Sequence, residues 1–202
     1  MAESPSHRFG QIIGELLEEI LLPILENFCK ERDLYLDRHG DRVGVRSGRK
    51  VTWEDKDGNK HDLDFVIEKG ATATLLGRPV AFIESAWRRY TKHSRNKAQE
   101  IQGAVLPIAE KYQNDSPFLG VVLAGVFTQN SLDQLKSVGF RVVYIPYQGV
   151  MESFAKIGIN ARFDESTPDE DFAECVRQIE ALPKKTAIRF QGPPAAGQQG
   201  AI

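Results

Sequence analysis

Asp64, in the segment HDLDFVI, and Glu84, in PVAFIES, are carboxylates separated by nineteen residues, each set in a stretch that otherwise reads as a strand. Directly after Glu84 the chain turns basic. The run WRRYTKHSRNK carries Arg88, Arg89, Lys92, Arg95 and Lys97, with His93 among them and no acid until Glu100. Two carboxylates at the ends of neighbouring strands supply hard oxygen donors of the kind that hold Mg²⁺ (or Mn²⁺), an ion that keeps several waters and binds phosphate well. A bound ion lowers the pKa of its water and offsets charge on a phosphorane, and a basic run supplies counter-charge for a phosphodiester backbone. The chemistry this combination suits is hydrolysis of a phosphodiester.

Strand geometry adds a complication. Side chains alternate across a strand, so Asp62 and Asp64 point together, and Glu84 shares a face with Phe82 and Ala86. A group at position 86 therefore projects beside the Glu84 carboxylate. That is where a lysine would orient the attacking water, and the chain has a methyl group there. Taken singly, each acid also fits a solvated strand end or a surface ion pair, and the basic run fits a solvated helix face. Trp87, Tyr90 and Thr91, interleaved with the cations, fit a phosphate-facing surface as well.

The elements that must hold these residues follow from hydrophobic period. From Phe9 to Arg32 the apolar residues recur at helical spacing, with a bend expected at Pro23. Leu34 to Asp37, Val43 to Val45 and Lys50 to Glu54 read as short strands, and DKDGN as a hairpin turn into a strand from His61 to Glu68. Pro79 to Ala86 is a strand and Asn96 to Tyr112 a helix. Phe118 to Phe127 is a buried strand, Ser131 to Val138 a helix capped by Asn130 or Ser131, and Arg141 to Tyr147 a strand. Helices over Val150 to Ile157 and Pro168 to Leu182 follow. This order predicts an α/β sandwich with a central mixed sheet, in which the strands from Phe118 and Arg141 run parallel.

Composition sets the bounds. At 202 residues, 41% hydrophobic and 27% charged, the chain fits one domain, and a net charge of −2 argues against a wholly basic nucleic-acid coat. Cys29 and Cys175 stand alone, without zinc-ligand spacing, which fits buried thiols in a reducing cytoplasm. No apolar run approaches the roughly 18 residues of a membrane span, so a soluble, cytoplasmic protein without a membrane partner is expected. Residues 1–150 are expected to form the core, 151–190 a helical extension of the same domain, and the Gly, Pro, Ala and Gln tail 191–202 to be disordered.

Over roughly residues 9–150 the chain resembles the PD-(D/E)xK nuclease superfamily, whose restriction-endonuclease-like core runs helix, three-strand meander, helix, strand, helix, strand. Asp64 matches the motif aspartate, Glu84 the acid of the second half-motif, and Leu63 stands for the motif proline. The resemblance implies a Mg²⁺-dependent endonuclease acting on DNA, with Asp64 and Glu84 on the metal and Arg88, Arg89, Lys92 and Arg95 on the backbone. The run ESAWRRYTKHSRNKAQEIQG looks most like bacterial restriction or phage-defence nucleases, which implies a homodimer or a subunit of a larger defence complex. Ala86 departs from the motif, and three explanations stand: the lysine has moved to the next helix, as Lys97 or else Lys92; it has been replaced to inactivate the enzyme; or the fold binds or scaffolds without cutting. Further candidates are Glu15 or Glu19 on the first helix, Gln99 and Gln102 on the second, and His61 beside the turn.

Overall fold

The computed structural model describes residues 4–91 and 94–183. Helix α1, Pro5–Glu31, starts where the Ser4 side chain accepts the His7 N–H and Pro5 takes the first helical position. It runs on through Pro23. Strand β1, Leu34–Arg38, follows, then the hairpin β2, Val51–Glu54, and β3, Lys60–Leu63. Next come β4, Phe65–Lys69, and β5, Arg78–Arg88. Helix α2, Ser94–Lys111, crosses over to β6, Phe118–Gly125, and α3, Gln129–Ser137, to β7, Arg141–Pro146. Helices α4, Tyr147–Ala155, and α5, Asp169–Glu180, complete the described chain.

The main sheet has five strands in the order β1-β4-β5-β6-β7. β1, β4 and β5 pair antiparallel, whereas β6 runs parallel to both β5 and β7, as the helical crossovers require. One face buries Trp87, Val122 and Ala124 against α1, α4 and α5; the other buries Phe82, Val121 and Leu123 against α2 and α3. Phe172, Cys175 and Ile179 of α5 lie in one cluster with Phe9 and Ile13 of α1, so the C-terminal helices share the core. The boundary drawn at residue 150 falls inside α4, and the tail 191–202 lies outside the described residues. No helix among the described residues is long and apolar enough to cross a membrane.

Three local expectations are corrected. The strand expected from His61 to Glu68 breaks at Asp64: Lys60–Leu63 pairs only with β2, and Phe65–Lys69 joins the main sheet. Val43 to Val45 is a turn, in a loop with Gly44 and Gly48 at φ +90° and +100°, where an L side chain would be strained. Its anchor is the buried Arg42, which ion-pairs with Asp37 and Glu68 and donates to the Thr72 and Leu75 carbonyls. Helix α3 is capped by Thr128, whose hydroxyl accepts the Ser131 N–H at 3.2 Å, rather than by Asn130 or Ser131.

Candidate functional site

Asp64 is the joint between two sheets. The β4–β5 ladder ends at the pair Phe65↔Ile83, so the backbone of Asp64 and the Ser85 N–H lie beyond the last rung. Buried polar groups need other partners there. The Asp64 N–H donates to Oε1 of Glu84 at 3.1 Å. In return Oδ2 of Asp64 accepts from the Ser85 N–H at 2.7 Å and the Ser85 hydroxyl at 2.9 Å. The two carboxylates are thus clasped across the gap between β4 and β5. Among the described residues their other oxygens, Oδ1 and Oε2, take no hydrogen bond.

Burial and like charge dominate the electrostatics. Glu84 is 6% exposed, and burial, followed by the Asp64 charge, pushes its carboxyl up to about 8. The Asp64 N–H and the charge of Lys97 act in the opposite direction. A third carboxyl joins from α1, where burial first and then Asp64 and Glu15 push Glu18 up to about 7. Glu18, His39, Lys50 and Asp62 line a hollow of about 260 Å³ beside Asp64. The sequence had pointed to Glu15 and Glu19; both are exposed, and Glu18 is the helix acid turned toward the pair.

Glu84 shares its face of β5 with Ala86, as strand alternation requires. Ala86 is 6% exposed and packs in the cluster of Phe82, Ala98 and Ile101, so apolar contacts from α2 occupy the place where a lysine was expected. The cation acting on Glu84 comes from α2 itself: Lys97, whose side chain is 23% exposed and lies 3.5 Å from Glu100. Arg88 shares that partner at 3.6 Å. Arg89 goes elsewhere, its guanidinium over the rings of Phe172 and Tyr90 at 4.3 and 4.5 Å, with Nη1 buried and unpaired among the described residues. Arg95 is exposed beside Asn130, Asp133 and Gln134 of α3, and Lys92 and His93 lie outside the described residues.

The remaining candidates have local roles. His61 sits 3.0 Å from the Asp55 carboxylate inside the hairpin, and this contact, first among several hydrogen bonds, holds the Asp55 carboxyl well below its usual range. Gln102 accepts from Gln134 of α3 at 3.4 Å, and Gln99 is exposed.

Among the described residues no group of three or more His, Cys, Asp or Glu side chains forms a ready metal cage. A divalent ion of the Mg²⁺ type does not need one, since it binds through one or two carboxylates and keeps its waters. Buried, mutually repelling carboxylates, each with an oxygen unengaged, fit such an ion on the chemistry of the donors.

No family model matches the chain, and no curated protein matches it. Among solved structures, a crystal structure of a protein of unknown function, AF1548, is similar at 10% identity and a TM-score of 0.38, covering 86% of this chain and 96% of that one.

Proposed function

We propose that the chain is a metal-dependent endonuclease of the restriction-endonuclease-like, PD-(D/E)xK type that hydrolyses phosphodiester bonds in DNA, in keeping with a bacterial restriction or phage-defence role. The observation that carries this reading is the clasp of Asp64 and Glu84 across adjacent strands, with Lys97 acting on the same carboxylate. The sheet order, an antiparallel meander continued by parallel strands, supports it further.

Asp64 and Glu84, with Glu18 beside them, would hold Mg²⁺, which when bound acidifies a coordinated water and offsets charge on the phosphate. The chain's own contribution is positional. Ser85 fixes the Asp64 carboxylate through two hydrogen bonds, and the Asp64 N–H fixes that of Glu84. Lys97 supplies from α2 the ammonium that position 86 lacks, to hold the attacking water or a non-bridging phosphate oxygen. Arg88, joined to Lys97 through Glu100, extends the positive charge along the same face.

Plasmid nicking in Mg²⁺ tests this. Activity is expected in the wild type, with a loss of about 10²-fold or more in Lys97→Ala, the scale of a positioned acid–base group. Activity that appears only in Ala86→Lys would point to an inactivated site, and none in either variant would favour the second reading, a nuclease-fold subunit that binds or scaffolds without cutting. A homodimer would bring two such sites to the two strands of a duplex.

A further inference from the structure

Away from the acids, two loops are locked together. Arg42, buried and ion-paired with Asp37 and Glu68, ties loop 39–50 to loop 70–77 through the Thr72 and Leu75 carbonyls at 3.0 and 2.9 Å. Glu68 completes the tie by accepting the Gly77 N–H at 2.7 Å. Arg46 pins the same loop to Asp37 at 3.0 Å and to the Gly48 carbonyl at 2.7 Å.

What this frame presents to solvent is apolar. Val43 is 80% exposed, Leu75 57% and Leu76 49%, three of the most exposed large hydrophobic side chains among the described residues. Residues held out on a pinned frame are not the random apolar exposure of a loose loop. The surround is basic: from Lys69 to Arg78 there is no acid, and from His39 to Lys50 only Asp41. The ion pairs of these loops engage Arg42, Arg46, Lys50 and Arg78, which leaves the exposed Arg49 and Lys69 without one among the described residues.

A rigid apolar tip bordered by unpaired cations matches one kind of ligand. Side chains such as Val and Leu wedge between base steps while Lys and Arg take the flanking phosphates. We propose that the ridge of Val43, Leu75 and Leu76 is a second contact for duplex nucleic acid, with Arg49 and Lys69 on the backbone beside it. Loop 70–77 follows β4, whose first residue adjoins Asp64, so the ridge lies about 15 Å along the strand from the acids at about 3.3 Å per residue. That is the length of four or five base pairs at about 3.4 Å each. The contact deepens the nuclease reading and rests on it for its substrate class, but its charge and shape are independent of the acids.

The test uses the full chain in EDTA, so that binding is read without cleavage. Anisotropy of a labelled 30-base-pair duplex is compared for the wild type, for Val43→Ser, Leu75→Ser and Leu76→Ser combined, and for Arg49→Ala with Lys69→Ala. All these side chains are solvent-facing, and urea midpoints check that the variants fold. The triple variant is expected to bind about tenfold more weakly, the equivalent of one buried apolar side chain. The double variant should flatten the slope of log K against log salt by about 2, since each phosphate left unneutralised removes about 0.9. 2-Aminopurine placed in the duplex should brighten with the wild type and stay quenched with the triple variant.

Unchanged affinity and a quenched probe throughout would overturn the ridge contact while leaving Mg²⁺-dependent nicking as a separate result. Unchanged duplex affinity with loss of self-association in the triple variant would also overturn it, in favour of a second copy on this face. Loop-dependent binding by a chain that cuts nothing would uphold the contact and fail the nuclease reading.

Discussion

Replacing Glu84 by Gln should make the metal-free protein more stable above neutral pH and remove most of its pH dependence there. The sign follows from proton counting. The folded carboxyl holds its proton up to about 8, whereas the unfolded one releases it near 4.5. Between those values the native state binds more protons than the unfolded state, so stability falls as pH rises. At about 1.36 kcal/mol per pH unit, the whole span corresponds to at most about 5 kcal/mol lost by pH 9. Such a loss is a large share of a typical domain's stability. Gln keeps an oxygen to accept the Asp64 N–H and has no charge to bury, so Glu84→Gln should hold a nearly flat urea midpoint from pH 6 to 9 in EDTA. Added Mg²⁺ should restore the wild type at high pH and leave the variant unmoved. Parallel wild-type and variant profiles would refute the reasoning, because they would mean that Glu84 is solvated or compensated in the folded protein.

Two further outcomes concern the frame. Arg42→Met strands Asp37 and Glu68, both buried, and should cost about 3–5 kcal/mol by urea denaturation. Gly125→Ala should destabilise by more than about 2 kcal/mol and broaden near-UV dichroism around Trp87, since Gly125 sits at φ +102° and a Cβ there would lie 2.1 Å from the Arg88 carbonyl.

Much of the architecture was legible because each long element carried its own period. The stripe of α1, the apolar run of β6 and the Gly-closed α3 all stand where hydrophobic spacing put them. The break at Asp64 was not legible, because His61 to Glu68 alternates and then turns apolar as a single strand would. Only the pairing partners, β2 on one side and β1 and β5 on the other, divide it. Val43 to Val45 looked extended because its residues favour strands, yet Arg42, a charged residue with no pattern to betray its burial, decides that loop. Glu18 had a signal that went unread. Helical spacing places it with Leu21, Leu22 and Leu25, the residues packed over β4 and β5, so it is a carboxylate in an apolar stripe rather than on the solvent face. Lys97 was within reach of sequence reasoning once position 86 was seen to lack a lysine; the burial of Arg89 under α5 was not, since Phe172 lies more than eighty residues away.

The seam at Asp64 bears on how variants there should be interpreted. One residue stitches a two-stranded flap to the main sheet, and the threads are the same polar groups that would grip an ion. An alanine at position 64 would therefore unpick the fabric as well as empty the site. A silent Asp64→Ala protein would not by itself reveal which of these had failed, whereas position 84, anchored on both sides within an unbroken strand, separates chemistry from tailoring.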